Sequence, residues 1–249
     1  MDVVAGERPG SIAEVVARMR AIEDALPDTH GIALFNRLYL AVTEAVAHDL
    51  RADAFAAPAF LERLDVRFAW LYFDALSAAE PPPAWRPLFD SAERRGVLPL
   101  QFAFAGMNAH INRDLPVALV ETWGELGLEP RAGGSDHADF LRVNEQLAAV
   151  EERVKGAYLG GLLGFVDRVL GRADDVAAMW SVVRARDAAW TNGTTLWHLR
   201  DVPPLAAEFL ASLDRTVGLA ARGLLVPAAR VPLPRWLRAR RFRRIVESL

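Results

Sequence analysis

Gly31-Ile32-Ala33-Leu34-Phe35-Asn36-Arg37-Leu38-Tyr39-Leu40-Ala41-Val42-Thr43-Glu44-Ala45-Val46-Ala47-His48-Asp49-Leu50 decides the fold class. Its apolar residues Leu34, Phe35, Leu38, Tyr39, Val42, Ala45, Val46 and Leu50 recur every three to four positions. That period belongs to a helix buried along one broad face, not to a strand. The same period holds on either side. Ser11 followed by Glu14 has the spacing of a capping box and opens a run through Ile12, Val15, Met19 and Ile22 that stops at Pro27. Pro58 opens another through Phe60, Leu64, Phe68 and Tyr72 that ends before Pro81-Pro82-Pro83. A short helix follows around Trp85, Leu88 and Phe89.

Downstream, the spacing predicts one long helix over 98–126, a loop over 127–135 broken by Pro130, Gly133 and Gly134, and a long helix from Ser135 or Asp136 to about Leu170. Gly160, Gly161 and Gly164 in the latter suit close approach of a neighbouring helix. A helix over about 173–190, an interruption at Thr191-Asn192-Gly193 and a last helix from Pro203-Pro204 to about Leu225 complete the body. The expectation is an all-α domain of roughly eight to ten helices over residues 1–229, with a basic amphipathic segment over 230–249.

Composition narrows the chemistry. The chain has 249 residues, 52% of them hydrophobic and 24% charged, and no cysteine. That excludes a disordered chain, a disulfide scaffold, thiolate catalysis and cysteine-ligated metals. A net charge of −3 gives no general field for nucleic acid, so no nucleic-acid partner is expected. Residues 230–249 carry seven arginines against one acid, interleaved with Trp236, Leu237, Phe242, Ile245 and Val246. A segment of this kind suits either an anionic membrane surface or an acidic face of its own domain, and docking on the domain is preferred. The apolar run 157–166 is half of the roughly 20 residues a bilayer span needs, and no secretory signal opens the chain. The expected location is the cytoplasm.

Polar residues on apolar faces single out the predicted helix over 98–126. Within Gly106-Met107-Asn108-Ala109-His110-Ile111-Asn112-Arg113-Asp114-Leu115-Pro116, His110 and Asp114 are i,i+4 neighbours on a side shared with Met107 and Ile111. Asn108 and Asn112 form a second such pair. Pro116 removes a backbone donor from the helix and can free the Asn112 carbonyl. Two readings stand side by side: a buried hydrogen-bond network that joins helices, or a site in which His110 moves a proton with Asp114 beside it. In the second, Asn108, Asn112, Asn144 and Tyr72 would position a small-molecule substrate. Tyr72 and Asp65, two turns apart, can line a pocket. A lyase- or cyclase-type proton transfer fits neutral polar groups in an apolar pocket. The alternative is a hydrolase or oxygenase holding one divalent metal ion through His110, Asp114 and Asp139. A third is a non-catalytic helical protein that binds a ligand or docks on a partner. Glu44 and His48 share metal-pair spacing but fall with Arg37 and Arg51 on a polar side, as a salt-bridging face.

The signature Asn108-Ala109-His110-Ile111-Asn112-x-Asp114-Leu115-Pro116 resembles that of an uncharacterised bacterial, mainly actinobacterial, family of unknown function. The similarity extends to Phe68-Ala69-Trp70-Leu71-Tyr72-Phe73-Asp74-Ala75 and to Asp139-Phe140-Leu141-Arg142-Val143-Asn144. It implies a helical fold and carries no activity. His110-x-x-x-Asp114-x-Pro116 is also similar to a helical segment of zinc-dependent phospholipase C and related zinc nucleases, whose second histidine is missing here.

Overall fold

A computed structural model describes residues 6–52, 54–144, 147 and 181–227, and in the C-terminal segment 239–240, 243–244 and 246–247. The helices are α1 (Ile12–Ala25), α2 (Gly31–Arg51), α3 (Pro58–Ser77), α4 (Arg86–Ser91), α5 (Pro99–Ala109), α6 (Leu115–Leu126), α7 (135–144), α8 (Val182–Leu199) and α9 (Pro203–Leu224). A π-helical turn, His110–Asp114, joins α5 to α6. No strand occurs among the described residues, so the fold is all-α. None of the described helices is long and apolar enough to cross a membrane.

The α1 start follows its sequence. The Ser11 hydroxyl accepts the Glu14 N–H at 3.3 Å, and the Glu14 carboxylate accepts the Gly10 N–H at 2.9 Å. These bonds satisfy donors that the first helical turn leaves open. Val15, Met19 and Ile22 then point inward, fully buried.

Helix α2 departs from a one-sided amphipathic pattern. Gly31–Leu40 is buried on every side because α1, α4 and α5 surround it. Two polar residues go inside with it, each with partners. Asn36 donates to the Met19 carbonyl at 2.9 Å, and Arg37 donates to Glu23 at 2.6 Å and Asp28 at 2.9 Å. Arg37 is therefore not on the solvated face where helical projection puts it. The rest of that face behaves as expected: Glu44 pairs with Arg20 at 2.6 Å, and His48 is exposed.

Glycines set the α2–α5 spacing. A Cβ on Gly106 would stand 2.3 Å from the Phe35 ring, and one on Gly31 would stand 2.6 Å from Phe102. The backbones approach as closely as they do because both side chains are missing. On the far side, α6 packs between α3 and α8, where the fully buried Trp123 meets Trp190 and Trp197 edge-on at 5.1 and 6.0 Å.

Two sequence boundaries change. The segment over 98–126 is two helices with a π turn between them. Conversely, Thr191-Asn192-Gly193 does not interrupt α8, whose Val182, Arg186, Ala189, Trp190, Gly193 and Leu196 form one continuous buried stripe. Gly193 is where α8 crosses α6, with the Pro116 carbonyl 3.3 Å from where a Cβ would be. The glycines at 160, 161 and 164, the apolar run 157–166 and residues 173–180 lie outside the described residues.

In the C-terminal segment, Ala239 and Val246 are buried, and Arg243 donates to both Asp28 oxygens at 3.1 and 3.2 Å. These residues lie on the domain, on one of its acidic groups. Trp236, Leu237, Phe242 and Ile245 lie outside the described residues.

Candidate functional site

The site begins with a proline. Pro116 near the start of α6 has no N–H, and its ring crowds the carbonyl four residues back. The helix widens for one turn instead, and the Leu115 N–H bonds the His110 carbonyl five residues earlier. Such π turns recur at functional sites because they place side chains where an α-helix would not. Here the turn buries His110, Ile111 and Asp114 together.

Asp114 is fully buried and accepts three donors. Its Oδ2 takes Trp85 Nε1–H at 3.0 Å and faces His110 Nδ1 at 3.0 Å, while its Oδ1 takes an Arg113 N–H at 2.8 Å. Arg113 continues outward to Asp214 of α9 at 3.5 Å, and Asp214 accepts the Ala84 N–H at 3.0 Å. Burial works against the Arg113 charge, but Asp114 and Asp214 hold its pKa above the usual value. The carboxylate thus has a fixed orientation, imposed by α4 and the π turn.

The acceptor on Nδ1 decides the His110 tautomer: Nδ1 carries the proton and Nε2 keeps its lone pair. Burial lowers the imidazole pKa, and the Asp114 hydrogen bond and charge offset only part of that effect. The ring is therefore neutral at neutral pH. It is packed by aromatic side chains. Phe68 lies flat against it, with centroids 3.5 Å apart and planes 4° apart, and Tyr39 meets it edge-on at 4.6 Å. Tyr72 and Trp85 close the shell at 6.0 and 5.8 Å. Nε2 is buried and has no hydrogen-bond partner among the described residues.

His110 forms part of the wall of a cavity of about 70 Å³ between α2, α3, the π turn, α7 and α8. That is room for about two waters at roughly 30 Å³ each. Most of the wall is apolar, including Leu38, Leu64, Phe68, Met107 and Ile111, and among the described residues four polar side chains reach it: Tyr39, Asp65, His110 and Arg186. Tyr39 is buried without a well-formed hydrogen bond for its hydroxyl, and burial, then Asp65, raises its pKa well above the usual value. Asp65 is half-buried, and its Oδ2 is buried with no partner among the described residues. Burial pushes its pKa up to about 7 against the opposing pull of Arg186.

Arg186 is held from behind. Its Nε donates to the Asn144 side-chain oxygen, an Nη donates to the Phe140 carbonyl at 3.2 Å, and the guanidinium lies 4.1 Å from the Phe140 ring centre. Burial lowers its pKa to about 10, despite Asp65 and Asp187, so it is still a cation at neutral pH.

The residues singled out in the sequence separate into groups. His110 and Asp114 meet as their spacing predicts. Tyr72 touches the imidazole shell, but its hydroxyl donates to Asn36 Oδ1 at 3.4 Å. Asn144 serves Arg186 and Asp187, not the cavity wall. Asn108 and Asn112 turn the other way: Asn112 donates to Asn108 at 3.2 Å, and Asn108 donates to the Val217 carbonyl of α9 at 3.0 Å. They join helices and do not line the cavity. Asp139 accepts the Ala57 N–H, supplying the cap that α3 lacks in its own sequence. The proposed metal set His110, Asp114 and Asp139 is thus not brought together, and both Asp114 oxygens are already taken. Among the described residues no three His, Asp or Glu stand close enough to hold a metal.

Neither Tyr39 nor Arg186 stands out in the sequence: Tyr39 falls among the apolar positions of α2, and no motif or partner spacing marks Arg186. A larger open cleft, about 670 Å³, runs between α1, α2 and α3 past Arg20, Glu44 and Glu62. No polar atom of those three residues is buried without a partner, so it carries no comparable chemistry.

Residues 12–227 match the family of unknown function DUF5995, and the chain belongs to that family. No curated protein and no solved structure matches the chain. The match spans α1 to α9 and contains every residue of the cavity wall.

Proposed function

We propose that this member of DUF5995 is an enzyme that acts on a small, uncharged molecule by proton transfer in the cavity beside His110. One observation carries the reading: a buried neutral imidazole on an apolar cavity wall has Nδ1 bound to a carboxylate, while its Nε2 has no partner among the described residues. A buried acceptor without a partner costs roughly 1 to 3 kcal/mol, so a fold that keeps one is expected to use it. His110 is then the catalytic base, and Asp114 is a positioning residue that fixes the tautomer and stabilises the imidazolium as it forms. Trp85 and Arg113 in turn hold Asp114. Lyase- or isomerase-type chemistry follows, because the apolar wall shields a carbanion-like intermediate from water. The substrate would be a cytoplasmic solute.

The test is deuterium incorporation. The protein is incubated in D2O with a mixture of cell metabolites, and the small molecules are followed by mass spectrometry. The expected result is deuterium entering at least one compound, at a rate reduced about 100-fold or more in His110→Gln, the usual size of a general-base contribution. If incorporation is the same with wild type and His110→Gln, His110 is not a base.

A further inference from the structure

Asp65 Oδ2, like His110 Nε2 and the Tyr39 hydroxyl, has no hydrogen-bond partner among the described residues, and all three residues line the same cavity. Asp65 sits on α3 one turn before Phe68, whose ring is stacked on the His110 imidazole at 3.5 Å. The acid and the base thus line the same small cavity, with Phe68 and other apolar side chains making up most of its wall. The cavity is small. An engineered cavity of about 150 Å³ holds benzene, so one of about 70 Å³ takes only a few non-hydrogen atoms at the reacting end. Neither an unpartnered carboxyl nor a neutral imidazole suits a substrate anion, and Arg186 is already engaged by Asn144 and Phe140. The substrate is therefore a neutral group that needs one proton removed and one supplied.

We infer that the cavity takes an uncharged carbonyl compound bearing a C–H bond next to the carbonyl, with Asp65 donating a proton to the oxygen while His110 removes the C–H proton. The inference rests on the proton-transfer reading above and names its substrate class and its acid. In the step, the C–H bond breaks and its proton goes to His110 Nε2. The freed electron pair forms the carbon–carbon double bond, and the carbonyl π pair bonds the Asp65 proton. The product is an enol, with an imidazolium on Asp114 and a carboxylate at Asp65. Reversal restores the carbonyl, and reprotonation on another carbon isomerises it. Burial supports the acid's role by keeping the Asp65 carboxyl protonated into the neutral range. The titratable and charged groups around Asp65 among the described residues are Arg186 from α8, Tyr39 from α2 and His110 from the π turn.

Acetone in D2O is the probe, with loss of its α-proton signal followed by NMR for wild type, Asp65→Asn and His110→Gln. Wild type is expected to exchange faster than buffer, with both variants slower by about 100-fold or more. The wild-type rate should also fall above about pD 7, as Asp65 gives up its proton. Full exchange by Asp65→Asn, or a wild-type rate that keeps rising above pD 8, overturns the role of Asp65. No wild-type exchange above buffer overturns the carbonyl assignment. In that event the metabolite experiment separates the two ideas: His110-dependent deuterium there leaves the base standing and removes only this inference.

Discussion

Replacing Asp65 by asparagine should stabilise the protein, and by an amount that grows with pH. The folded protein holds the Asp65 proton with a pKa of about 7, against 3.8 for an unconstrained aspartate. Its proton affinity is thus about a thousand-fold greater in the folded state, and this is worth about 4 kcal/mol at most. Because the folded pKa is the higher one, the folded state binds the proton more tightly. The contribution is whole below about pH 4, declines as pH rises, and is gone above about pH 7. Asparagine has nearly the same shape and no charge to desolvate, so it escapes the decline. Between pH 5 and pH 7 the stability of Asp65→Asn should gain on wild type by up to about 1.4 kcal/mol per pH unit, flattening towards pH 7, or about 2 kcal/mol in all. Urea unfolding followed by tryptophan fluorescence, with seven tryptophans in the chain, measures the gap at pH 5, 6, 7 and 8. Groups that titrate in both proteins, His110 among them, cancel in the difference. A gap that stays constant from pH 5 to pH 8 would refute the claim that Asp65 Oδ2 sits in an environment hostile to its charge.

Three further outcomes follow from packing and charge. Asp114→Ala strands Trp85 Nε1 and leaves the half-buried Arg113 cation only its longer contact with Asp214, and chemical denaturation should show a loss of about 3 kcal/mol. Gly106→Ala would ordinarily favour a helix by up to about 1 kcal/mol. Here its Cβ meets the Phe35 ring at 2.3 Å, so the melting temperature should fall, with a net loss of about 2 kcal/mol or more; a rise would show that α2 and α5 can separate cheaply. Arg243→Ala removes an exposed pair with Asp28 and should cost less than about 1 kcal/mol, the difference shrinking further in high salt.

What the sequence made legible depended on how local the physics was. The starts of α1 and α3 were set by Ser11 with Glu14 and by Pro58, and the pairing of His110 with Asp114 followed from one helical turn. The break at His110–Asp114 was half legible: Pro116 announced a lost hydrogen bond, but whether a chain kinks, unwinds or widens there depends on helices packed around it from elsewhere in the sequence. Asn108 and Asn112 were recognised as buried polar residues, but their true acceptor is a carbonyl of α9, more than a hundred residues away. Asp139 could not be seen to cap α3, because the helix it serves lies 82 positions earlier. Arg186 was hidden most completely. An arginine in an amphipathic helix reads as solvated, and only Phe140 and Asn144 arriving from α7 turn it into a buried cation.

The widened turn between α5 and α6 also holds one residue more than a regular helix would need there. Each α-helical residue turns the helix by about 100°, and the π turn takes up that extra angle in its wider ring. Deleting one residue from 110–114 would let the two helices run on as a single regular rod, with Leu119 and Trp123 still in the seam between α3 and α8. The four-residue spacing of His110 and Asp114 would be lost or re-made at three. Adding a residue finds no such slack: it rotates everything beyond, and the tryptophan cluster would come apart. The loop from Gly127 to Gly133, with no atom within 4 Å of a Cβ at either glycine, accepts both changes readily. A library of single-codon insertions and deletions scored for folding would map the contrast: a histidine turn that tolerates loss but not gain, and a loop a dozen residues later that tolerates either.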